Sequence, residues 1–123
     1  MRQREASIQI CEGNQKSIEA AIRSNGSTPA IEYYQNLPTR DQAKFLKLFE
    51  RMAEKGQIFN PEKFKLLEDG IFEFKAKPYR ILCFMTKDKK VVLTNGFEKQ
   101  SRKTKSKYLN LAKTIREEYL QVR

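Results

Sequence analysis

Three apolar runs of strand length, set between residues 70 and 105 and separated only by turn residues, constrain this chain more than any other feature. Ile71 to Ala76 follows the pair Asp69-Gly70, Tyr79 to Thr86 follows Pro78, and Val91 to Phe97 follows the polar tetrapeptide Lys87-Asp88-Lys89-Lys90. Runs of this length bounded by Asp, Gly, Pro and Lys are strand and hairpin signals, so the stretch is expected to form a small antiparallel sheet. Side chains alternate faces along a strand. Phe72, Phe74 and Ala76 are therefore assigned to a core, and Glu73, Lys75 and Lys77 to an outward face that seeks an anion.

The flanking segments supply helices. Thr28-Pro29 reads as a cap followed by proline at the first helical position, which predicts a short helix over Pro29 to Leu37 with Ile31, Tyr34 and Leu37 inward. Thr39 and Gln42 make a capping-box pattern for a second helix, whose inward stripe is read as Ala43, Leu46, Phe49, Met52 and Ala53 and whose C-cap is Gly56. Asn60-Pro61 is expected to start a single turn that places Phe64, Leu66 and Leu67 before the sheet begins. A terminal helix is predicted from about Lys105 to Leu120, with Tyr108, Ala112, Ile115 and Tyr119 as its stripe. Phe45, Phe49, Phe72, Phe74 and Phe84 are core candidates. Residues 1 to 16 form an N-terminal extension in which Ser7 to Cys11 is either an edge strand or a loose segment, and Ser17 to Ser24 reads as a strand or as two helical turns. The remainder, 17 to 123, is one domain by size, of α+β class with helices packed on one face of a mainly antiparallel sheet.

Charge narrows the function. Among 123 residues, 25 are Lys or Arg and 15 are Asp or Glu, a net charge of +10. Such a domain attracts polyanions through counterion release, with nucleic acid first, an anionic membrane second and an acidic protein third. No apolar run approaches the length of a membrane span, and the charged start, Met1 to Glu5, has no signal-peptide pattern. Cys11 and Cys83 make no disulfide framework, so the expected compartment is the cytoplasm.

The chain contains no histidine, which removes the commonest general acid–base and the commonest transition-metal ligand. There is no zinc spacing, glycine-rich phosphate loop, EF-hand or GxSxG pattern. Glu62, Glu68, Asp69 and Glu73 lie near one another, but their spacing is not specific for a metal and turn or surface roles explain each. No metal or cofactor is expected. What remains is cationic chemistry: Lys75, Lys77, Arg80, Lys99, Arg102, Lys103 and Lys105 occupy one strand edge and the connector after the last strand. Gathered together they can hold a phosphate and stabilise the extra charge of a pentacoordinate transition state, and a lysine among cations has a lowered pKa that suits it to proton transfer. A solvated basic face would show the same pattern. Tyr79 and Tyr108, near the basic ends, are candidates for stacking on an exposed base or for core packing.

The series DGIFEFK, YRILCF and VVLTNGFEKQSRKT, closed by IREEYL, resembles the HigB-type branch of the RelE/ParE superfamily of bacterial toxins, phage-derived members included. Upstream, SNGSTPAIEYYQNLPTRDQAKFLKLFERMAEKG is similar to that branch's strand-to-helix entry and helical hairpin, so the likeness spans about Ser17 to Arg123. The resemblance implies a RelE-like fold and a strand at Ser17 to Ser24. It also implies an mRNA endoribonuclease acting in the ribosomal A site and held silent by an antitoxin, often a HigA-like helix-turn-helix protein. Carried over by position, the catalytic set is Lys75, Arg80, Lys99 and Lys103; Lys77, Asn95, Arg102, Lys105 and Tyr108 are the candidate RNA-binding residues around it. Asn95 stands where many relatives have histidine, and an amide can hydrogen-bond but cannot shuttle protons near neutral pH. Two other functions fit the same pattern: a non-catalytic nucleic-acid-binding regulator and a ParE-like poison of DNA gyrase.

Overall fold

A computed structural model describes residues 5–122; the first four residues of the expected N-terminal extension lie outside them. Six strands, β1 (Ser7–Glu12), β2 (Ser17–Ala21), β3 (Phe64–Glu68), β4 (Ile71–Ala76), β5 (Tyr79–Met85) and β6 (Lys90–Glu98), form one sheet in the order β1-β2-β6-β5-β4-β3. Every pairing is antiparallel except β2 with β6. Helices α1 (Pro29–Gln35) and α2 (Thr39–Lys55) cover one face of the sheet, and α3 (Ser106–Val122) covers the other. This is the α+β class with a mainly antiparallel sheet and a C-terminal helix expected from the sequence, but the helices are not confined to one face, because the apolar residues of β5 and β6 alternate to both sides and α3 covers the second.

The alternation of β5 and β6 explains why both faces are dry. Ile81, Cys83, Val91 and Leu93 point to α1 and α2, where they meet Phe45, Phe49 and Met52 in a single buried cluster. Phe49 packs edge-on against Phe74, with ring centroids 5.0 Å apart. Leu82, Phe84 and Val92 point the other way, against Leu109, Ala112, Ile115 and Tyr119. Near-continuous apolar runs such as Ile81 to Phe84 are what a strand covered on both sides requires.

A β-bulge sets the end of β6. Ile81 pairs with Gly96 but Cys83 pairs with Leu93, so Thr94 and Asn95 together oppose Leu82. The Thr94 hydroxyl donates to the Leu82 carbonyl at 3.2 Å. The extra residue reverses the alternation, sending Asn95 and Phe97 toward α3 and leaving Gly96 toward α1. A Cβ at Gly96 would lie 2.1 Å from Cδ2 of Tyr33, so only glycine admits that ring.

Several local expectations are corrected. Phe64–Glu68 is a strand rather than a turn leading into the sheet, closed onto β4 by a two-residue turn in which Asp69 (φ 49°) and Gly70 (φ 75°) are both left-handed, the conformation Asp-Gly favours. Ser7–Glu12 is the edge strand of the two alternatives, and Ser17–Ala21 is a strand. Thr39 and Gln42 form no capping box; Pro38 holds the cap position, and the Gln42 amide donates to the carbonyls of Gln35 (3.2 Å) and Leu37 (2.9 Å), tying α2 to the end of α1. The α2 stripe is turned from the one expected. Ala43 and Leu46 face solvent, and Phe45 joins Phe49, Met52 and Ala53 inside. In α3, Leu109 takes the buried place assigned to Tyr108.

Arg23, just past β2, clasps α3 by donating to both oxygens of Glu118, at 3.2 and 2.9 Å, and the Ser24 amide donates to the same carboxylate at 3.1 Å. The Arg23 hydrogen bonds hold the Glu118 carboxyl down at about 2. A depressed carboxylate pKa stabilises the fold above the ordinary value of about 4.3, and that contribution is lost as pH falls toward 2. Glu118→Gln should therefore lower stability by about 1–2 kcal/mol at pH 6, since exposure and screening discount the full shift, and the urea midpoints of mutant and wild type should converge by pH 2. Phe49→Ala should cost about 3–5 kcal/mol in the same assay, because the cavity would open between α2 and Phe74.

Candidate anion-binding site

The site is built by the hairpin of β4 and β5 and by the residues that follow β6. Lys75 pairs with Arg80 across the hairpin, and the turn between the strands consists of Lys77 and Pro78, joined by a cis peptide bond. Arg80 pairs in turn with Phe97 of β6, and the Lys99 amide donates to the Pro78 carbonyl at 2.8 Å. That bond carries the end of β6 alongside the hairpin turn. Lys77, Arg80, Lys99, Ser101 and Arg102 consequently line one shallow, open depression.

The remaining connector residues open onto an adjacent small hollow, lined by Lys99, Lys103, Lys105 and Tyr108. Lys99 belongs to both hollows, whereas Lys103 does not reach the one that holds Arg80. Of the proposed catalytic set, Lys75, Arg80 and Lys99 are brought together and Lys103 sits beside them.

Two expected RNA contacts are placed differently. Asn95 is buried, its amide donating to the Tyr108 carbonyl at 3.3 Å, so it anchors the first turn of α3 on the bulge instead of facing a ligand. The Tyr108 ring lies flat against Phe97, with centroids 4.2 Å apart and planes 6° from parallel, and the Lys107 ammonium is 5.0 Å from its centroid. That ring is largely committed to packing. Lys77, Arg102 and Lys105 are exposed, as an RNA-binding role needs.

Sequence reasoning missed the group that organises the cluster. Glu73, assigned to the outward face, is 0% exposed. One carboxylate oxygen is 3.8 Å from Lys75 Nζ and the other 3.9 Å from Arg80 Nε. Neither oxygen has a hydrogen-bond partner among the described residues, and Arg80 Nε also lacks one. The signal was available in Ile71, which shares the Glu73 face of β4 and belongs to the α3 core, so that this face is dry before it becomes cationic. Arg80 is itself buried and donates through Nη1 to the Tyr79 carbonyl at 3.1 Å.

Burial lowers the Lys75 pKa below the ordinary lysine value, the Glu73 charge opposes that shift, and Lys65, Arg80 and Lys99 reinforce it. The result is an amine easier to deprotonate than a surface lysine, next to a fixed guanidinium. This is a site that can bind a phosphate and move a proton beside it. The other acids of the sequence cluster have structural work: Glu68 meets Lys113 at 2.7 Å and Asp69 meets Arg116 at 3.0 Å, both linking the β3–β4 turn to α3. Among the described residues no group of three or more His, Cys, Asp or Glu could hold a metal ion, and no helix is long and apolar enough to cross a membrane.

Fold and site together define a small α+β protein with a cationic cluster at the edge of its central hairpin. Residues 32–117, well over half of the chain, match the family of phage-derived Gp49-like proteins (DUF891), and the protein belongs to that family. These are toxin-like proteins of the RelE/HigB type. No match is found among curated proteins.

Replacing the buried carboxylate tests the arrangement directly. Glu73→Gln leaves Arg80 buried without a counter-charge and should cost about 3–5 kcal/mol in urea denaturation. A loss of only a few tenths would mean that Lys75 and Arg80 relax into solvent unaided.

Proposed function

We propose that the protein is the toxin of a toxin–antitoxin pair and a metal-independent endoribonuclease that cleaves mRNA on the ribosome. The observation that carries this reading is the juxtaposition of Lys75, with its lowered pKa, and the buried Arg80 beside Lys99. Membership of a family of toxin-like proteins supports it.

The nucleophile in this scheme belongs to the substrate. The 2′-hydroxyl attacks the adjacent phosphorus, giving its proton to neutral Lys75; the new O2′–P bond forms as the P–O5′ bond breaks. Arg80 bonds to the non-bridging oxygens, where negative charge grows in the transition state, and Lys99 protonates the departing 5′ oxygen. Lys77 and Arg102, at the rim, hold flanking phosphates. Lys103 and Lys105 extend the track past Tyr108. Acidic or apolar residues of a helix-turn-helix antitoxin would lie over Lys75, Arg80 and Lys99, and the toxin would act in the cytoplasm.

Arg80→Ala and Lys75→Ala should each relieve growth arrest on induced expression and lower cleavage at least a hundredfold, as loss of a transition-state contact worth about 3 kcal/mol does. Wild-type cleavage should persist in EDTA, leave 2′,3′-cyclic phosphate and 5′-hydroxyl ends, and vanish when the cut site carries a 2′-deoxy sugar. Primary 5′-phosphate ends, or cutting of the deoxy substrate, would sink this mechanism. Transcript mapping separates the rivals: codon-phased cuts support the ribosomal reading, double-strand DNA breaks a gyrase poison, and arrest with neither a non-catalytic binder.

A further inference from the structure

The outer face of α2 carries a second cationic feature that the site above does not use. Arg40, Lys44, Lys47, Arg51 and Lys55 are spaced four, three, four and four residues apart, which puts all five on one stripe of the helix, and every one is exposed. The stripe is about 22 Å long, from the helical rise. Asp41 pairs with Lys44 at 3.8 Å, while no ion pair engages Arg40, Lys47, Arg51 or Lys55 among the described residues. Glu50 and Glu54 lie along one flank, and Glu54 accepts from the Asn14 backbone at 3.3 Å. Like charges at i,i+4 weaken a helix, a cost that the Asp41 pair and the place of Lys55 in the last turn offset only in part.

The stripe runs into an aromatic residue in open solvent. Phe59, in the loop between α2 and β3, is 83% exposed, the most exposed of the large hydrophobic side chains. It borders a groove with Leu48, Ile58, Arg51, Lys55 and Lys63, so a free aromatic face and three cations share one surface. An acidic protein segment would satisfy the cations but has little use for a bare ring. A nucleotide chain satisfies both, its phosphates following the stripe and one unstacked base lying on the ring.

We propose that the α2 stripe and Phe59 form a docking track for single-stranded nucleic acid, separate from the Lys75 and Arg80 cluster. The two surfaces lie on opposite sides of the sheet, since α2 packs on the face away from α3 while Arg80 shares the alternation of Leu82 and Phe84. The track stands on charge placement and ring exposure, whatever chemistry the other face performs. It would let the protein hold a strand with one surface while the other engages the scissile phosphate.

The test is fluorescence anisotropy with a fluorescein-labelled single-stranded RNA dodecamer and the DNA of the same sequence, using the full chain carrying Arg80→Gln and Lys99→Gln to silence the other cluster. Adding Lys47→Gln, Arg51→Gln and Lys55→Gln should weaken binding at least tenfold and make the slope of log affinity against log salt shallower by about 2, for three phosphate contacts to a single strand. Phe59→Ala should weaken binding about tenfold with the slope unchanged, because stacking releases no counterions. Equal losses for RNA and DNA assign the track to phosphate and base in general; a loss confined to one names that one. Melting temperatures unchanged from the Arg80→Gln, Lys99→Gln background exclude a folding effect, Lys47, Arg51, Lys55 and Phe59 being exposed. Unaltered affinity in the triple variant would overturn the proposal. So would displacement of the probe by a polyglutamate peptide together with a silent Phe59→Ala, which would give the face to an acidic protein. Cleavage by the chain with Arg80 and Lys99 intact is scored separately, so either surface can fail without the other.

Discussion

One extra residue in β6 decides what the two faces of the sheet can be. Without the bulge opposite Leu82, the alternation that buries Val91 and Leu93 under α1 and α2 would continue unbroken, directing Phe97 to that side and the glycine position to the other. With it, Phe97 lies beneath the first turn of α3, Asn95 reaches the Tyr108 carbonyl, and Tyr33 has a side-chain-free strand to lie on. The chain then leaves β6 in register with the hairpin turn, where the Lys99 amide finds the Pro78 carbonyl. Bulges beside sites commonly re-aim side chains in this way. The cationic cluster is thus a product of strand register as much as of composition.

A second constraint is electrostatic. Three cations held close together repel, and a sheet hairpin gives them little room to separate. Glu73 offsets part of this from inside, placed near both Lys75 and Arg80 but beyond hydrogen-bonding distance of either. A carboxylate with both oxygens unsatisfied attracts without saturating, which leaves the Lys75 ammonium and the Arg80 Nη2 donors unclaimed by it. Strongly bonded pairs such as Arg23 with Glu118 show the contrasting case, where geometry is complete and the groups serve the fold alone.

The sheet from Ile71 onward was legible because its signals are local: Asp-Gly at the β3–β4 turn, Pro78 before β5, and uninterrupted apolar runs that only a two-sided strand needs. The two N-terminal strands were harder to read, since Ser7–Glu12 is half exposed and pairs only with β2, while Ser17–Ala21 is short and takes its second partner from β6, far away in sequence. The phase of α2 was misread because Ala43 and Leu46 are apolar yet face water, whereas the buried set of Phe45, Phe49, Met52 and Ala53 is defined by what lies across from it. Of the site, the types and neighbourhood of the basic residues could be seen in the chain. The burial of Glu73 had one signal, the apolar Ile71 on the same face of β4, whereas that of Asn95 depends on a bulge that no residue pattern announces.

The parallel pairing of β2 with β6 has a consequence for biosynthesis. The strands β3 to β6 form a run of neighbouring hairpins that can close as they emerge, but β2, although it can pair at once with β1, must wait for a second partner encoded about seventy residues later. Through most of translation the N-terminal hairpin has an unpaired edge, and the residues that follow β6 are still inside the ribosome when the hairpin bearing Lys75 and Arg80 is complete. The order of the chain therefore withholds the cationic cluster until the residues after β6 have joined the β4–β5 hairpin.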